Sequence, residues 1–326
     1  MSNGSTNVIT LDDYYDGRPE QAVPSERNAT DGIGETALAM AVARWREADA
    51  PQPLFGDPFS LLFVTAAYDS GWRPAILTRS SKDLCALDPV LSERIKALHD
   101  YAACRTRFFD DFFDSATSDG VRQAVILGAG LDARAWRLRW APDTMFFDVD
   151  RPKMLDFKVS TMWAANAEPA CEYRAVAVDL RSDWPTALCS AGFDPSAPTA
   201  WSAEGSLAYV PGAEQDRLFE LIDELSAPGS VLAAESASSS DPQPSRRRRL
   251  IRETREAAAA VGDTFLRDVR SLWIDDRRSH LADWLGGRGW QTTASEAEAL
   301  MVGYGRAPRL NALGVAPLST FVQGRR

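Results

Sequence analysis

Residues 121 to 138 read Val121-Arg122-Gln123-Ala124-Val125-Ile126-Leu127-Gly128-Ala129-Gly130-Leu131-Asp132-Ala133-Arg134-Ala135-Trp136-Arg137-Leu138. The apolar run Ala124 to Leu127 has the length of a strand covered on both faces, and the glycines that follow predict a sharp turn opening into a helix. Gly128 and Gly130 remove side chains where a backbone must come close to a ligand, so the turn reads as a nucleotide site. A second strand ends on two acids, Phe147-Asp148-Val149-Asp150. Asp150 lies 22 positions after Gly128, close to the spacing of about 20 at which a βαβ unit brings a carboxylate to a ribose hydroxyl. Asp148, two residues earlier on the same strand face, competes for that role.

The ligand is not named by this pattern. Gly128-x-Gly130-x-x-Ala133 also satisfies the G-x-G-x-x-A form of nicotinamide and flavin enzymes, which leaves an NAD(P)-dependent oxidoreductase open. The catalytic set for that chemistry is wanting. None of the four lysines, Lys82, Lys96, Lys153 and Lys158, has a tyrosine four positions before it, so the Tyr-x-x-x-Lys pair of short-chain dehydrogenases is missing.

Several further stretches carry a wider likeness: Arg105-Thr106-Arg107-Phe108-Phe109-Asp110, Ile126 to Arg134, Phe147-Asp148-Val149-Asp150-Arg151-Pro152, Val178-Asp179-Leu180 and Ala203-Glu204-Gly205-Ser206-Leu207-Ala208-Tyr209-Val210-Pro211. In order and spacing these resemble the class I S-adenosylmethionine-dependent methyltransferases of the leucine carboxyl methyltransferase-like group, over about residues 30 to 326. The resemblance implies a doubly wound, mostly parallel, seven-stranded α/β sheet of Rossmann-like type, with a helical lid ahead of it and an insertion after the fifth strand. It also implies S-adenosylmethionine as cofactor, S-adenosylhomocysteine as product, and methyl transfer to an oxygen of a small molecule, a carboxylate or a hydroxyl.

The resemblance assigns residues as well. It places the ribose on Asp150 and the bare backbone of Gly128, Ala129 and Gly130 beside the cofactor. Asp179 would accept from the adenine amine, where the bland reading is a helix N-cap, and Leu180 would pack on the ring. Arg107 is expected to clamp the cofactor carboxylate through its bidentate fork, with Arg105 as the fallback and a salt bridge to Asp110 or Asp111 as the plain alternative. Glu204 and Tyr209 follow the fourth strand, where the transferring methyl group would lie, and are the candidate catalytic residues; Glu204 is also a candidate for the methionine amino group. Two departures from the group's usual sequence, Ala133 where serine is common and Ser206-Leu207-Ala208 in place of a more apolar stretch, leave the acceptor open.

Composition bounds the other classes. The 326-residue chain has a formal charge of −10, 45% hydrophobic and 10% aromatic residues, which suits a globular enzyme and not a surface built to displace counterions from nucleic acid. The Arg246 to Arg249 run is then a solvated helix face. The four cysteines form no C-x-x-C pair and read as buried small hydrophobes, with no metal site expected. The start of the chain lacks a basic and apolar leader, and no run reaches the roughly 18 apolar residues of a membrane span, so a cytoplasmic protein with a small-molecule acceptor and no membrane partner is expected. His99 and His280, the two histidines, read as surface or satisfied residues rather than bases. A cofactor-binding protein without turnover remains a third reading.

Along the chain, residues 1–27 are polar without sustained period and read as a loose arm. Residues 28–118 carry helical stripes, the longest after the Asp88-Pro89 cap with Leu91, Ile95, Leu98, Ala102, Phe109 and Phe112. Strand signals follow at 124–127, 144–149, 173–178, 199–203 and 230–234, alternating with helices as a parallel doubly wound sheet requires. Residues 119–326 thus form the cofactor-binding domain, with a cap insertion at about 236–284 and last strands at 290–294 and 319–323.

Overall fold

A computed structural model describes residues 8–10, 33–72, 81–237, 244–260, 274, 276, 278–309 and 318–326. The parts of the expected arm, lid and insertion that fall on other residues lie outside the described set. Eight strands form one sheet: β1 (Val8–Thr10), β2 (Gln123–Leu127), β3 (Met145–Asp150), β4 (Glu172–Ala177), β5 (Thr199–Ala203), β6 (Val231–Ala237), β7 (Gln291–Glu296) and β8 (Ser319–Arg325). Their order is β1-β4-β3-β2-β5-β6-β8-β7. The five strands from β4 to β6 run parallel, and β8 pairs antiparallel with both β6 and β7.

The central strands are largely apolar and buried because both faces are covered. Along β2, Ala124 and Ile126 join one core cluster, while Val125 and Leu127 join the other. The first cluster packs under the helices Ile33–Ala48 and Pro89–Ser118; the second packs under Trp184–Ser190 and Gly212–Glu224. Chain order reverses between β2 and β5, so a crevice opens at their carboxyl ends. That switch point is where open α/β sheets take their ligands.

Three details differ from the sequence reading. The arm contributes an edge strand, β1, antiparallel to β4; its residues, Val8-Ile9-Thr10, are all β-branched and suit a strand, a signal hidden by polar neighbours. The helix after the glycine turn is a single turn, Arg134–Arg137, ending at Leu138 in extended conformation. Pro142 disfavours helix just before itself, and Arg134 and Trp136 are drawn into the core. Two of the cysteines, Cys85 and Cys189, are exposed on short helices, whereas Cys104 is buried. The long helix begins as expected: the Asp88 carboxylate accepts from Val90 N and Leu91 N, with Pro89 in the first turn.

Asp148 is fully buried and is not at the crevice. It pairs with the equally buried Lys158 of the Pro152–Ala164 helix, and Tyr173 Oη donates to it at 2.7 Å. Lys158→Met strands that carboxylate in the core and should lower the unfolding free energy by about 3 to 5 kcal/mol, read by urea denaturation. Adding Asp148→Leu should recover part of the loss, and an unchanged single variant would show the pair to be dispensable.

Candidate functional site

The crevice is a cavity of about 450 Å³, within the range of small-molecule and cofactor pockets. Its floor is the glycine turn. Gly128 has φ of +74° and Gly130 φ of +50°, values that L side chains rarely adopt. A Cβ at Gly128 would also stand 2.9 Å from Ser206 Cβ, so the turn keeps its backbone bare for two independent reasons. Gly128 N and Ala129 N both donate to Val149 O, at 2.8 and 3.3 Å, fixing the turn on β3.

Most residues expected at the site meet there: Gly128, Ala129, Gly130, Asp150, Asp179, Leu180, Glu204 and Tyr209 all line the cavity. Asp150 Oδ2 accepts from Gly130 N at 2.7 Å and Oδ1 from Arg151 N at 2.6 Å. Burial nevertheless pushes the Asp150 carboxyl above its ordinary range, against those two hydrogen bonds. Asp179 forms a two-pronged pair with Arg181, at 2.9 and 2.7 Å, which holds its carboxyl below the usual range. Tyr209 closes the short turn Leu207–Tyr209 after β5, and Arg278 Nη1 and Nη2 donate to Leu207 O and Val210 O at 2.7 and 2.6 Å.

Arg107 does not reach the cavity. It donates to Leu54 O at 3.0 Å and pairs with Asp111 at 2.7 Å on a half-exposed flank of the long helix, the plain alternative that the sequence allowed. Arg105, two residues earlier and so about 200° round the helix, lines the cavity instead. Its Nε donates to Glu204 Oε1 at 2.8 Å and its Nη1 to Glu235 Oε2 at 3.1 Å. Burial opposes the charge, yet Glu235 and Glu204 hold the guanidinium above its ordinary range.

The sequence reading missed Arg134. It is fully buried, with Nε on Asp110 at 2.7 Å, Nη1 on Glu204 Oε2 at 2.7 Å and also on Asp132, and Nη2 on Thr106 O at 3.1 Å. Both oxygens of Glu204 are thus engaged by guanidinium groups, Oε1 by Arg105 and Oε2 by Arg134. Arg44 was also missed: its Nη2 donates to Leu131 O at 2.7 Å while Nε meets the buried Asp57 at 3.0 Å. This contact ties the Ile33–Ala48 helix to the glycine turn. Their acidic partners lie 2 to 70 residues away along the chain, so sequence alone could not single these arginines out.

His99 stands apart from the reading that it is a surface or satisfied residue. It lines the cavity, and its Nε2 is buried without a hydrogen-bond partner among the described residues. His280, by contrast, sits on the surface facing Asp283 at 3.1 Å. The helix Pro244–Ala260, part of the expected insertion, contributes Ile251, Thr254 and Arg255 to the cavity wall. Arg248 and Arg249 are exposed, and Arg249 pairs with Glu253 one turn on. Among the described residues no three His, Cys, Asp or Glu side chains are grouped to hold a metal ion, and no helix is long and apolar enough to cross a membrane.

The fold and the crevice define a doubly wound, nucleotide-binding α/β enzyme architecture. The chain belongs to the leucine carboxyl methyltransferase family, whose family model matches residues 37–223. A Mycolicibacterium paratuberculosis protein named "Putative S-adenosyl-L-methionine-dependent methyltransferase" is 43% identical over 304 residues, covering 91% of this chain and 96% of its own length. A Mycobacterium tuberculosis protein of the same name is 43% identical over 300 residues, with 91% and 96% coverage. Among solved structures, a DUF574 family protein from Streptomyces avermitilis aligns with a TM-score of 0.47 at 13% identity, covering 88% of this chain and 97% of that one.

Burial, with Arg46 and Lys96 nearby, pushes the His99 imidazole down to about 3. An unfolded imidazole takes up its proton near pH 6.5 while the folded one waits until about 3, so stability falls as pH drops through that interval, by up to about 1.4 kcal/mol per unit. His99→Phe removes this contribution. The stability difference between the wild type and His99→Phe, from urea midpoints, should therefore change below pH 6.5 and be constant above it; a difference constant from pH 4 to 8 would contradict a buried neutral imidazole.

Proposed function

We propose that this protein transfers the methyl group of S-adenosylmethionine to an oxygen, carboxylate or hydroxyl, of a small organic molecule. The observation that carries the reading is the glycine turn: a cradle kept free of side chains by positive φ and by Ser206, with Asp150 bonded to it and Leu180 beside it. The residues present fit such a cofactor. Ser206 Oγ is a buried polar atom without a partner among the described residues, at the position a ligand beside Gly128 would meet.

The cofactor supplies a methyl carbon already activated by a sulfonium. What remains for the chain is to bind and orient. Asp150, with lone pairs beyond those used by Gly130 and Arg151, accepts from the ribose hydroxyls. Asp179 takes the adenine amine once it turns from Arg181, and Leu180 packs on the ring. Arg105 replaces Arg107 as the group for the cofactor carboxylate, since Arg105 lines the cavity and Arg107 does not. Glu204, with both oxygens bonded to Arg105 and Arg134, keeps those two guanidinium groups oriented at the cofactor end of the cavity. Tyr209 borders the acceptor. Holding two reactants in line can supply on the order of 7 to 11 kcal/mol of a barrier, and a carboxylate acceptor needs no proton removed.

Calorimetry should show micromolar binding of S-adenosylmethionine and S-adenosylhomocysteine and none of NAD. Asp150→Ala and Arg105→Lys should each weaken binding by roughly ten- to a hundredfold, as for loss of charge-assisted hydrogen bonds of about 1.5 to 3 kcal/mol; Arg107→Ala should not. Tight NAD binding would overturn the assignment, and a methyl group found by NMR on nitrogen or carbon of the product would overturn the oxygen.

A further inference from the structure

The cavity extends beyond the residues that the cofactor would occupy. Past Arg105, the long helix turns Tyr101, His99 and Leu98 toward the same space, and Met40 and Ile251 close it from the two neighbouring helices. The cavity walls are mostly apolar. The polar groups at this end are nearly all spoken for: Tyr101 Oη donates to Glu235 and bonds Ser319 at 3.0 Å, and Thr254 Oγ1 donates to Leu250 O at 2.7 Å while accepting from Arg94 at 3.2 Å. Arg255 is also engaged. His99 is the exception, with Nε2 buried and unpartnered among the described residues. Buried polar atoms in native proteins are almost always satisfied, so an orphan in a cavity wall points to a ligand that completes it.

We infer that His99 selects the acceptor, accepting or donating a hydrogen bond to an uncharged hydroxyl at the end of the acceptor remote from the methylated oxygen. This rests on the methyltransferase reading above. His99 and Arg105 are six positions apart on the long helix, about 9 Å along its axis at 1.5 Å per residue, so the far end of the acceptor is well removed from the cofactor carboxylate. The acceptor is therefore an elongated, largely apolar molecule, one ring and a short chain in length, with a protic group at its far end. Burial that keeps the imidazole neutral penalises a second carboxylate there in the same way, although Arg46 and Lys96 lie near enough to be the groups that would attract one. A site built around a hydroxyl rejects the analogue without it strongly, because the protein's own group is then left unpaired.

The test uses three probes of matched shape, 3-phenylpropanoate, 3-(4-hydroxyphenyl)propanoate and 3-(4-carboxyphenyl)propanoate, titrated calorimetrically into the full chain saturated with S-adenosylhomocysteine. The hydroxyl compound should bind at least tenfold more tightly than the unsubstituted one, and His99→Phe, which keeps a ring of similar shape, should abolish that preference while leaving S-adenosylhomocysteine affinity unchanged. His99→Gln, which restores a hydrogen-bonding group, should recover part of it. Equal binding of the first two probes, binding of none, tightest binding of the dicarboxylate, or a preference that survives His99→Phe would each overturn the inference. Failure of S-adenosylhomocysteine to bind at the outset would instead sink the underlying methyltransferase reading, so the two failures are told apart in one series.

Discussion

Taking a guanidinium out of water costs several kcal/mol, and only carboxylates placed on it with good geometry offset that cost. Arg134 sits wholly inside the protein and meets three of them, each from a different part of the chain: Asp110 from the long helix, Asp132 from the glycine turn and Glu204 from the end of β5. The rings of Phe109 and Phe113 cover its faces, at 5.6 and 6.0 Å from the guanidinium carbon. None of these partners can move without leaving a charge buried and unpaired. The glycine turn, the helical section and the strand end that together bound the cavity are therefore held in one mutual geometry, and removing Arg134 would disturb all three at once.

A second chain of charges continues from the first. Glu204 shares its other oxygen with Arg105, Arg105 reaches Glu235 on β6, and Glu235 takes Tyr101 Oη and Ser319 Oγ, the latter at 2.8 Å. Burial and the neighbouring Glu235 raise the Tyr101 phenol well above its ordinary range, so it stays a donor and not an anion. The antiparallel β8 is in this way tied by side chains to β6 and to the long helix. Preorganisation of this kind is what an alignment-driven reaction requires, since a reactant held loosely regains the entropy that the site was meant to remove.

How much of this was legible from residues alone follows from what each feature depends on. The strands β2 to β6 declare themselves through short, largely apolar runs between turn residues, and the glycine turn through a backbone conformation that few other residues tolerate. Asp150 could be placed because strand ends and spacing are one-dimensional. Arg105 against Arg107 could not, since two positions on one helix differ by most of half a turn and the sequence does not say which flank faces the crevice. Val8–Thr10 escaped because three β-branched residues in a polar stretch pair with β4 only through long-range contact. His99 escaped for the same reason: its apolar surroundings come from segments some sixty residues before it and some hundred and fifty after it.

The division has a functional side. The proposed cofactor contacts come from the backbone of one turn and from strand ends, where changing a residue breaks φ, register or a buried charge pair, so their identity is tightly dictated by the fold. The rest of the cavity is walled by side chains of the Ile33–Ala48, Pro89–Ser118 and Pro244–Ala260 helices, where the apolar positions need only be of compatible volume to keep the helices packed. Exchanging Met40 or Ile251 for another aliphatic side chain would reshape the proposed acceptor space at little cost to stability. Membership of the family accordingly speaks for the glycine turn and its charges, whereas the acceptor must be read from the cavity walls of this chain, and among them from the polar group that the protein itself leaves unsatisfied.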